Sequence, residues 1–455
     1  MGGRRIAVVG SGLAGLAAAH GLARGGHEVT VYSDRTPEQW LHDSTPTGIA
    51  ARFGQALDFE ASLGLDHWAK QAPAITGFHL SLSPKVGNRL ATMAARTTAP
   101  AQAVDLRLQS HRWLVDLPKA GGRVVVEKVS PERLDAIARE HELTLVAVGR
   151  GPLQDLFARN EARSIYREPQ RRLAFAIIKG IAPQYDGVPF TAAKFNLFAD
   201  IGEVFLIPYW HRDHGVTSTV LFEAKPGLRF DRFGDVKSGD ELLRIGKELF
   251  AELMPWDRAW FANAELADPR GWLVGGVTPA VREPVARLPS GALAMPLGDT
   301  AISMDPIAGQ GANLGSKYAQ HLVGAIAGHE GAFDDTWMRA TFEAFWADHG
   351  APTVKFTNAL LEPMEAGGKY LLISQYGTTG VADSPRQRIA NAIADNFADP
   401  RTITDAFLDK KLAKATVARV AGSTTLFMGG LARIGAKQLG RLFGKQPAHP
   451  LATAT

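Results

Sequence analysis

The chain has 455 residues, which is enough for two or three domains with sizeable hydrophobic cores, and its composition is that of an ordinary globular protein. It contains no cysteine, which excludes disulfides, thiolate metal sites and cysteine nucleophiles. The net charge of +4 is uneven, because eight of the 50 Lys and Arg residues, and none of the 46 Asp and Glu residues, lie beyond Asp409. The preceding part therefore has 42 basic and 46 acidic residues, a net charge of −4.

Neither targeting nor metal-binding segments are evident in the sequence. No apolar run approaches the roughly 18 residues of a membrane span, and no signal-peptide pattern precedes the first predicted strand. A cytoplasmic location is therefore expected. The 13 histidines show no metal-ligand spacing, so no metal site is predicted. His211 and His214 fall in a predicted hairpin turn, where we expect them to face solvent.

The first predicted elements are a strand, a glycine-rich turn and a helix. Residues 6–9 form an apolar, β-branched run, and residues 16–23 have good helix propensity. The glycines between them have the spacing G-x-G-x-x-G, which in this context predicts dinucleotide binding at the helix N-terminus. A merely glycine-rich turn is the alternative. The predicted pyrophosphate-binding residues are Gly10, Gly12, Leu13, Ala14 and Gly15.

The second predicted strand, residues 28–32, closes this unit. An acidic residue usually follows the glycines by about 20 positions and binds the ribose hydroxyls. Here Ser33 occupies that position and is followed by Asp34 and Arg35. These three residues are predicted to surround the adenosine, with a solvated polar turn as the alternative. The segment 36–53 is predicted to be a loop.

A helix is predicted from Asp105, its N-cap, to about residue 120. Arg107 lies in its first turn, where the helix dipole favours anions rather than cations. Two explanations stay open for this misfit: Arg107 faces a phosphate or carboxylate ligand, or it forms a structural salt bridge. Residues 124–129 and 143–148 are predicted strands that return to the nucleotide-binding sheet.

The middle of the chain has a different character. Residues 173–178, 204–207 and 216–222 are strand-like and follow each other without long helical segments, which predicts an antiparallel sheet. Some aromatic residues of this part are candidates for lining an apolar substrate pocket, although most are expected in the core. They are Phe195, Phe198, Phe205, Tyr209 and Trp210.

A second glycine-rich segment follows a predicted strand at 292–297 and leads into a helix at 314–327. Two such anion-binding helix starts in one chain fit a single extended cofactor, FAD, held at both ends. Asp299 is predicted to bind the ribityl hydroxyls, and backbone N–H groups of residues 311–313 the reduced pyrimidine ring. An unrelated loop is the alternative. The predicted residues are Gly298, Asp299, Pro306, Gly311, Ala312 and Asn313.

Together the two glycine-rich segments resemble the FAD-dependent aromatic hydroxylase superfamily. Residues 29–35, 103–108, 275–280, 299–313 and 394–397 are in addition similar to styrene and indole monooxygenases. The resemblance implies an α/β fold: a Rossmann-type FAD-binding domain (glutathione-reductase-like, PHBH-like), an antiparallel-sheet substrate domain and C-terminal helices. The implied boundaries are 1–75, 100–165 and 286–345 for the first, 76–99 and 166–285 for the second, and 346–455 for the third.

The resemblance also implies an activity. A separate NADH-dependent flavin reductase would supply FADH2, and O2 would add to it as a flavin C4a-hydroperoxide that epoxidises an apolar aromatic alkene or indole-like substrate. Single-component hydroxylases carry an Asp-Gly motif tied to NAD(P)H where this chain reads Gly149-Arg150-Gly151. The W-x-W-x-I-P motif of flavin-dependent halogenases is absent from the sequence.

No acid or base side chain is expected at the flavin ring. The resemblance places Gly48, Pro306, Gly309 and Gln310 in the ring environment. In the related epoxidases an Asn stands at the position of Gly48, and a His at that of Arg52.

The basic tail and the overall activity leave alternatives open. The tail is predicted to form a helix that packs on the protein or on a second copy in a homodimer, or that docks to the reductase or an acidic surface such as a membrane. A flavin oxidase or dehydrogenase is the second enzyme class. A non-enzymatic FAD-binding scaffold is the third, but nucleic acid is not expected as a partner because the body of the chain is slightly acidic.

Overall fold

The computed structural model describes residues 3–86, 88–182 and 187–442. The α-helices in this part of the chain are α1 (Leu13–Arg24), α2 (Pro37–His42), α3 (Gly54–Ser62), α4 (Leu106–Asp116), α5 (Pro131–Glu140), α6 (Gly239–Leu253), α7 (Arg258–Phe261), α8 (Gly311–Ala327), α9 (Asp335–Phe345), α10 (Ala351–Leu361), α11 (Ala366–Ser374), α12 (Pro385–Ala398), α13 (Thr404–Leu408), α14 (Lys410–Ala421) and α15 (Leu426–Leu442). The strands are β1 (Arg5–Val9), β2 (Glu28–Ser33), β3 (Ile75–Ser83), β4 (Ala91–Ala101), β5 (Arg123–Val126), β6 (Leu143–Val146), β7 (Arg172–Lys179), β8 (Ala192–Phe198), β9 (Gly202–His211), β10 (Gly215–Ala224), β11 (Glu265–Leu266), β12 (Trp272–Gly275), β13 (Ala280–Val281), β14 (Ala286–Arg287), β15 (Leu293–Pro296), β16 (Ile302–Ser303) and β17 (Thr378–Thr379).

These elements form two compact units. The first contains the chain up to residue 70 and residues 104–169 and 277–354. The second contains residues 71–103, 170–276 and the chain from residue 355 onward. The structure thus groups the C-terminal helices with the second unit, whereas the sequence analysis treats 346–455 as a region of its own. The C-terminal helices belong to the second unit because this part of the chain contacts β4. β17 pairs with β4, and the Thr98 hydroxyl donates to Asp395 on α12 at 2.8 Å.

A six-stranded sheet in the order β14-β15-β6-β1-β2-β5 forms the centre of the first unit. β1 runs parallel to both neighbours, with Val8 opposite Val31 and Leu145. Helices α1 and α8 cover one face of this sheet and α5 covers the other, which explains the continuous apolar run of β1. The Rossmann-type fold predicted from the sequence is confirmed.

A nine-stranded sheet forms the centre of the second unit, with the main order β11-β7-β10-β9-β8-β3-β4-β17. The pairs from β7 to β8 are antiparallel, as predicted, whereas β3–β8 and β4–β17 are parallel. Helix α6 packs on one face through an apolar stripe that includes Leu249 and Phe250. The opposite face carries Phe195, which stacks against Phe78 and Phe397 on α12.

Two local predictions are wrong. The segment 36–53 is not entirely loop, because Thr36 and Gln39 form a capping box that starts α2: each side chain accepts a hydrogen bond from the backbone N–H of the other. His211 does not face solvent. It is buried at the end of β9, where its Nε2 lies 2.6 Å from Asp268 Oδ2.

The tail folds back on the second unit. The Phe427 ring of α15 stacks on Tyr370 of α11 at 4.5 Å, and a Cβ at Gly430 would clash with the Ile373 carbonyl oxygen. The predicted packing of this helix on the protein is therefore present in its first half. The side chains of Leu439, Arg441 and Leu442, and the residues Phe443 and Lys445, lie outside the described part of the chain. No helix within the described residues is both long and apolar enough to cross a bilayer.

A buried ion pair lies in the second unit between the sheet and the segment before α7. Lys194 Nζ is 3.3 Å from Asp257 Oδ2, and both side chains are almost completely buried. Asn196 Nδ2 donates to the same carboxylate oxygen at 2.8 Å, and Trp256 Nε1 donates to Asn196. Burial raises the pKa of Asp257 well above its usual value and lowers that of Lys194. The charged form of each side chain is therefore stabilised by the opposite charge of the other.

Removing one partner of this pair is expected to destabilise the second unit strongly. Asp257→Ala removes the carboxylate beside the buried Lys194 ammonium, which costs about 3–5 kcal/mol. The double variant Lys194→Met/Asp257→Leu is expected to cost less than either single variant, because the Lys194 charge is removed together with its partner. Urea unfolding followed by tryptophan fluorescence, to which Trp256 contributes, measures these differences. Additive losses in the two single variants and the double variant would contradict this account of the pair.

Candidate functional site

The turn between β1 and α1 leaves space where the pyrophosphate is predicted. Gly10 has a φ of +111°, and a Cβ there would lie 2.3 Å from the Ala147 carbonyl oxygen. At Gly15 a Cβ would lie 2.5 Å from the Gly10 carbonyl oxygen. A Cβ at Gly12, in contrast, would meet no protein atom within 4 Å. Gly10 and Gly15 are thus required by the turn itself, whereas the space beside Gly12 can hold a ligand.

The N-terminus of α1 has no side-chain cap. Its N-cap is Gly12, and its first turn contains no acidic residue. The N–H groups of Leu13 and Ala14 have no partner within the helix, because first-turn amides never do. With the positive end of the helix dipole they form a site for an anion such as a phosphate.

Ser33, at the end of β2, uses its hydroxyl within the protein. Trp40 Nε1 donates to Ser11 Oγ at 2.9 Å, and the two serine hydroxyls are 2.7 Å apart. Ser33 Oγ in turn donates to the Arg35 carbonyl oxygen at 2.6 Å. The residue predicted at the position of the usual ribose-binding acid therefore fixes the backbone at the strand end.

Asp34 and Arg35, the next two residues, are more open. Both side chains are partly exposed, and their charged groups are 3.8 Å apart. The Arg35 guanidinium lies over the Trp40 ring at 4.8 Å from its centroid, a cation–π contact. Sequence reasoning missed Trp40, although the Thr36-x-x-Gln39 capping box marks the helix that carries it.

Arg107 is buried and forms the structural salt bridge that sequence reasoning left as one of two explanations. Its Nε donates to Asp105 Oδ1 at 2.9 Å and its Nη2 to Asp105 Oδ2 at 2.6 Å. Asp105 also accepts the Arg107 backbone N–H, as the predicted N-cap. Both side chains are almost completely buried, so this Arg supports the start of α4.

The segment after β15 lies close to α1. Gly298 has a φ of +63°, and a Cβ there would lie 3.1 Å from the Ala14 Cβ. A Cβ at Gly315 on α8 would lie 3.2 Å from the same atom. The small residues at these positions let α8 cross α1 near its N-terminus. The two predicted halves of the site therefore belong to one unit and adjoin each other.

Asp299 sits at the N-terminus of α8. A Cβ at Gly311, the first residue of that helix, would lie 3.7 Å from Asp299 Oδ1. The residue is accessible to solvent, yet desolvation by the surrounding protein raises the pKa of its carboxyl, with Arg150 acting in the opposite direction.

Thr300 was not predicted, and it ties this segment to the end of β6. Its hydroxyl accepts the backbone N–H groups of Val148 and Gly149 at 3.1 Å each. Gln154 Nε2 donates to the Asp299 carbonyl oxygen at 3.0 Å. No sequence motif indicates these contacts, because they join residues about 150 positions apart.

The turn before α8 also leaves its helix N-terminus uncapped. Asp305 accepts the Ile307 N–H, Pro306 starts a short 3₁₀ turn, and Gly309 ends it with a φ of +65°. Gln310 is the N-cap of α8 but provides no side-chain cap, because its Nε2 donates to the Ala308 carbonyl oxygen. The first-turn amides of α8, those of Gly311 and Ala312 among them, thus have no side-chain cap.

Asn313 connects this turn with the loop that carries Gly48. Its Nδ2 donates to the carbonyl oxygens of Ala51 and Gly309, both at 2.8 Å, and its Oδ1 accepts the Phe53 N–H at 2.8 Å. The Asn313 side chain is therefore occupied by protein contacts, and it is the backbone of this residue that remains for a ligand. A Cβ at Gly48 would meet no atom within 4 Å.

The residues of the first unit fit FAD. The unfilled space beside Gly12 and the uncapped α1 suit a pyrophosphate, and the solvent-accessible Asp299 suits hydroxyl groups. The uncapped α8 suits a ring that carries negative charge when reduced. All of the predicted cofactor residues lie in the first unit, and the Arg107 side chain is bonded there to Asp105, the N-cap of α4.

Two family models match parts of the chain. Residues 8–37 match a model described as "NAD(P)-binding Rossmann-like domain". Residues 149–259 match a model described as "Styrene monooxygenase A putative substrate binding domain". The second match includes β7, β8, β9 and β10, four of the nine strands of the sheet in the second unit.

Curated relatives and solved structures are similar over most of the chain. A styrene monooxygenase StyA of Pseudomonas fluorescens is 26% identical over 415 residues, 89% of this chain and 95% of the relative. A StyA of a Pseudomonas species is 27% identical with the same coverage. A triple mutant of the flavin-dependent brominase Bmp2 has a TM-score of 0.60 and 16% identity, with 89% and 97% of the two chains covered. The p-nitrophenol 4-monooxygenase PnpA of Pseudomonas putida DLL-E4 has a TM-score of 0.55 and 15% identity, with 94% and 99% covered.

The structural likenesses show the fold, which is the PHBH-like fold predicted from the sequence. The likeness to the StyA sequences extends through both units and is accompanied by the substrate-domain match. The chain is identified on these grounds as a styrene monooxygenase-like, FAD-dependent monooxygenase.

Proposed function

We propose that this protein is the oxygenating component of a two-component system. It binds FADH2 made by a separate NADH-dependent flavin reductase and transfers one oxygen atom of O2 to an apolar aromatic alkene or indole-like substrate. The observation that carries the cofactor part is the meeting of two uncapped helix N-termini, those of α1 and α8, in one unit. The similarity to StyA sequences supports the oxygenation part.

Each end of the cofactor has its own binding residues in this proposal. The N–H groups of Leu13 and Ala14 hold the pyrophosphate, and Asp34 and Arg35 contact the adenosine. At the other end, Asp299 accepts hydrogen bonds from the ribityl chain. The backbone of residues 311–313 stabilises negative charge on the pyrimidine ring.

Reduced flavin, when bound, supplies the reduction of O2 and the oxygen transfer. None of the four residues that we place at the ring is ionisable: Gly48, Pro306 and Gly309 are small or rigid, and the amide of Gln310 bonds to the backbone. Arg52 is nearby in sequence, but it is buried against Glu60. The chain's task is to hold the ring, exclude water and position the substrate.

An apolar substrate fits the aromatic character of the second unit. On the sheet face opposite α6, Phe195 lies 5.2 Å from Phe78 and 4.8 Å from Phe205, measured between ring centroids. Phe198, also predicted as a lining residue, faces the α6 side, where it contacts Phe230. We therefore propose the Phe195 side of the sheet, rather than the α6 side, for the substrate; Phe195, Phe78 and Phe205 are themselves buried there.

The residues that follow β6 support the proposal that a separate reductase supplies the electrons. Where single-component hydroxylases carry an Asp-Gly motif, Gly149 has a φ of +74° and donates its N–H to Thr300. The sequence contains no second complete G-x-G-x-x-G unit for a nicotinamide cofactor.

Gly12→Val is expected to abolish tight flavin binding without unfolding the protein. A Cβ at this position meets no protein atom within 4 Å, so the valine side chain starts in the space assigned to the pyrophosphate. The expected loss of FADH2 affinity, measured anaerobically by fluorescence titration, is on the order of 100-fold, which corresponds to about 2.7 kcal/mol. Gly324→Val is the matched control, because this exposed glycine in α8 also has no atom near its Cβ position. Equal affinities in the two variants would refute the pyrophosphate site.

Asp299→Ala is expected to weaken FADH2 binding by about tenfold, the value of one charge-assisted hydrogen bond. Asp58→Ala, which removes an exposed carboxylate of α3, is the control and should leave the affinity unchanged. The same fluorescence titration measures both variants. An unchanged dissociation constant in Asp299→Ala would remove this residue from the cofactor site.

Oxygenation is tested by supplying chemically reduced FADH2 together with ¹⁸O₂ and either styrene or indole. We expect one ¹⁸O atom per product molecule and no turnover of substrate when the protein carries oxidised FAD alone. Mass spectrometry of the product measures the label. Direct bleaching of bound oxidised FAD by a substrate would instead indicate an oxidase or dehydrogenase.

A further inference from the structure

The loop that carries Gly48 contains the one non-glycine residue with positive φ among residues 3–86, 88–182 and 187–442. This residue is Ala50, with a φ of 47°. A side chain in the left-handed region is strained, so neighbouring contacts must hold it there. Arg52 provides one of them, because its Nη1 donates to the Ala50 carbonyl oxygen at 2.5 Å.

Arg52 is itself held by a buried carboxylate. Its Nε lies 2.5 Å from Glu60 Oε1 on α3, and both side chains are almost completely buried. Burial raises the pKa of Glu60, while Arg52 acts in the opposite direction and Asp66 adds to the rise. The Arg52 guanidinium therefore contacts two groups, the Glu60 carboxylate and the Ala50 carbonyl oxygen.

Asn313 secures the next residues of the same loop. Its side chain bonds to the Ala51 carbonyl oxygen and the Phe53 N–H. It also donates to the Gly309 carbonyl oxygen, which belongs to the turn before α8. Backbone groups of residues 50, 51 and 53 are thus bonded to the side chains of Arg52 and Asn313. This arrangement fixes the position of Gly48 relative to the turn at Gly309.

We propose that Arg52 is a positioning residue. Its ion pair with Glu60 keeps Ala50 in the left-handed conformation and so holds the Gly48 loop beside the turn before α8. The inference rests on the proposed function in one respect, the placement of both segments against the flavin ring. There the fixed loop keeps water from the reduced flavin and limits the loss of oxygen as H2O2.

The side-chain chemistry explains why an Arg is needed at this position. A planar guanidinium can donate to the Ala50 carbonyl oxygen from one nitrogen while another nitrogen lies beside the Glu60 carboxylate, a fixed geometry that an ammonium group on a flexible stem lacks. The pairing also leaves no net charge beside the ring, since the Arg52 and Glu60 charges compensate each other.

The test uses Arg52→Lys, which keeps the charge next to Glu60 but removes the fork. In the cofactor-free protein, amide hydrogen exchange of residues 45–53 should become about tenfold faster, the factor that corresponds to the left-handed strain of one alanine. After loading with FADH2 and mixing with O2 without substrate, H2O2 release should accelerate by a similar factor, while FADH2 affinity stays the same.

A second substitution separates positioning from a general loosening of the fold. Glycine adopts the left-handed region without strain, so Arg52→Lys/Ala50→Gly should return both rates to within about twofold of the original protein. Arg171→Lys, which alters a buried Arg–Glu pair of the second unit (Nε–Oε2 2.7 Å), should leave the exchange of residues 45–53 unchanged.

Three results would overturn the inference. Unchanged exchange in Arg52→Lys would show that the ion pair does not hold the loop. Faster exchange without faster H2O2 release would place the loop away from the ring. Failure of Ala50→Gly to restore the rates would exclude the role assigned to Ala50. Hydrogen exchange is measured without flavin. It therefore tests whether Arg52 holds the loop even if the protein fails to bind FADH2 and the proposed function is wrong.

Discussion

The site depends on how closely α8 approaches the turn between β1 and α1. Ala14 is the point of contact, and a Cβ at either Gly298 or Gly315 would lie only 3.1 to 3.2 Å from its methyl group. Larger residues at these positions would push α8 away from the sheet. The absence of two side chains thus lets two helix N-termini, more than 290 residues apart in sequence, lie next to each other.

Much of this arrangement is readable in the sequence because it depends on local rules. The strand, glycine spacing and helix around Gly12 predict the turn that the structure contains, and Asp105 caps α4 as its position indicates. Pairing across the sheets was harder to foresee, since the parallel β3–β8 pair joins strands more than 100 residues apart. Local rules were also missed where they existed, as the capping box at Thr36 shows.

The roles of individual polar residues were the least predictable part. Ser33 stands where a ribose-binding acid is usual, but only the structure shows that its hydroxyl is used by the protein backbone and Ser11. Likewise, the spacing of Arg52 and Glu60 says nothing about an ion pair, because it forms only when the loop turns back on α3. Long-range contacts of this kind are set by packing, which single-residue patterns do not encode. The shared fold does not decide function either, since a brominase and a p-nitrophenol monooxygenase both have it.

The central claim is that one flavin spans both helix N-termini of the first unit. A crystal structure of the protein with FAD, determined before and after reduction in the crystal, tests it most directly. We expect pyrophosphate oxygens at hydrogen-bond distance, about 2.7–3.2 Å, from the N–H groups of Leu13 and Ala14, and the pyrimidine end at residues 311–313. A flavin whose pyrophosphate or whose ring lies elsewhere would contradict the account.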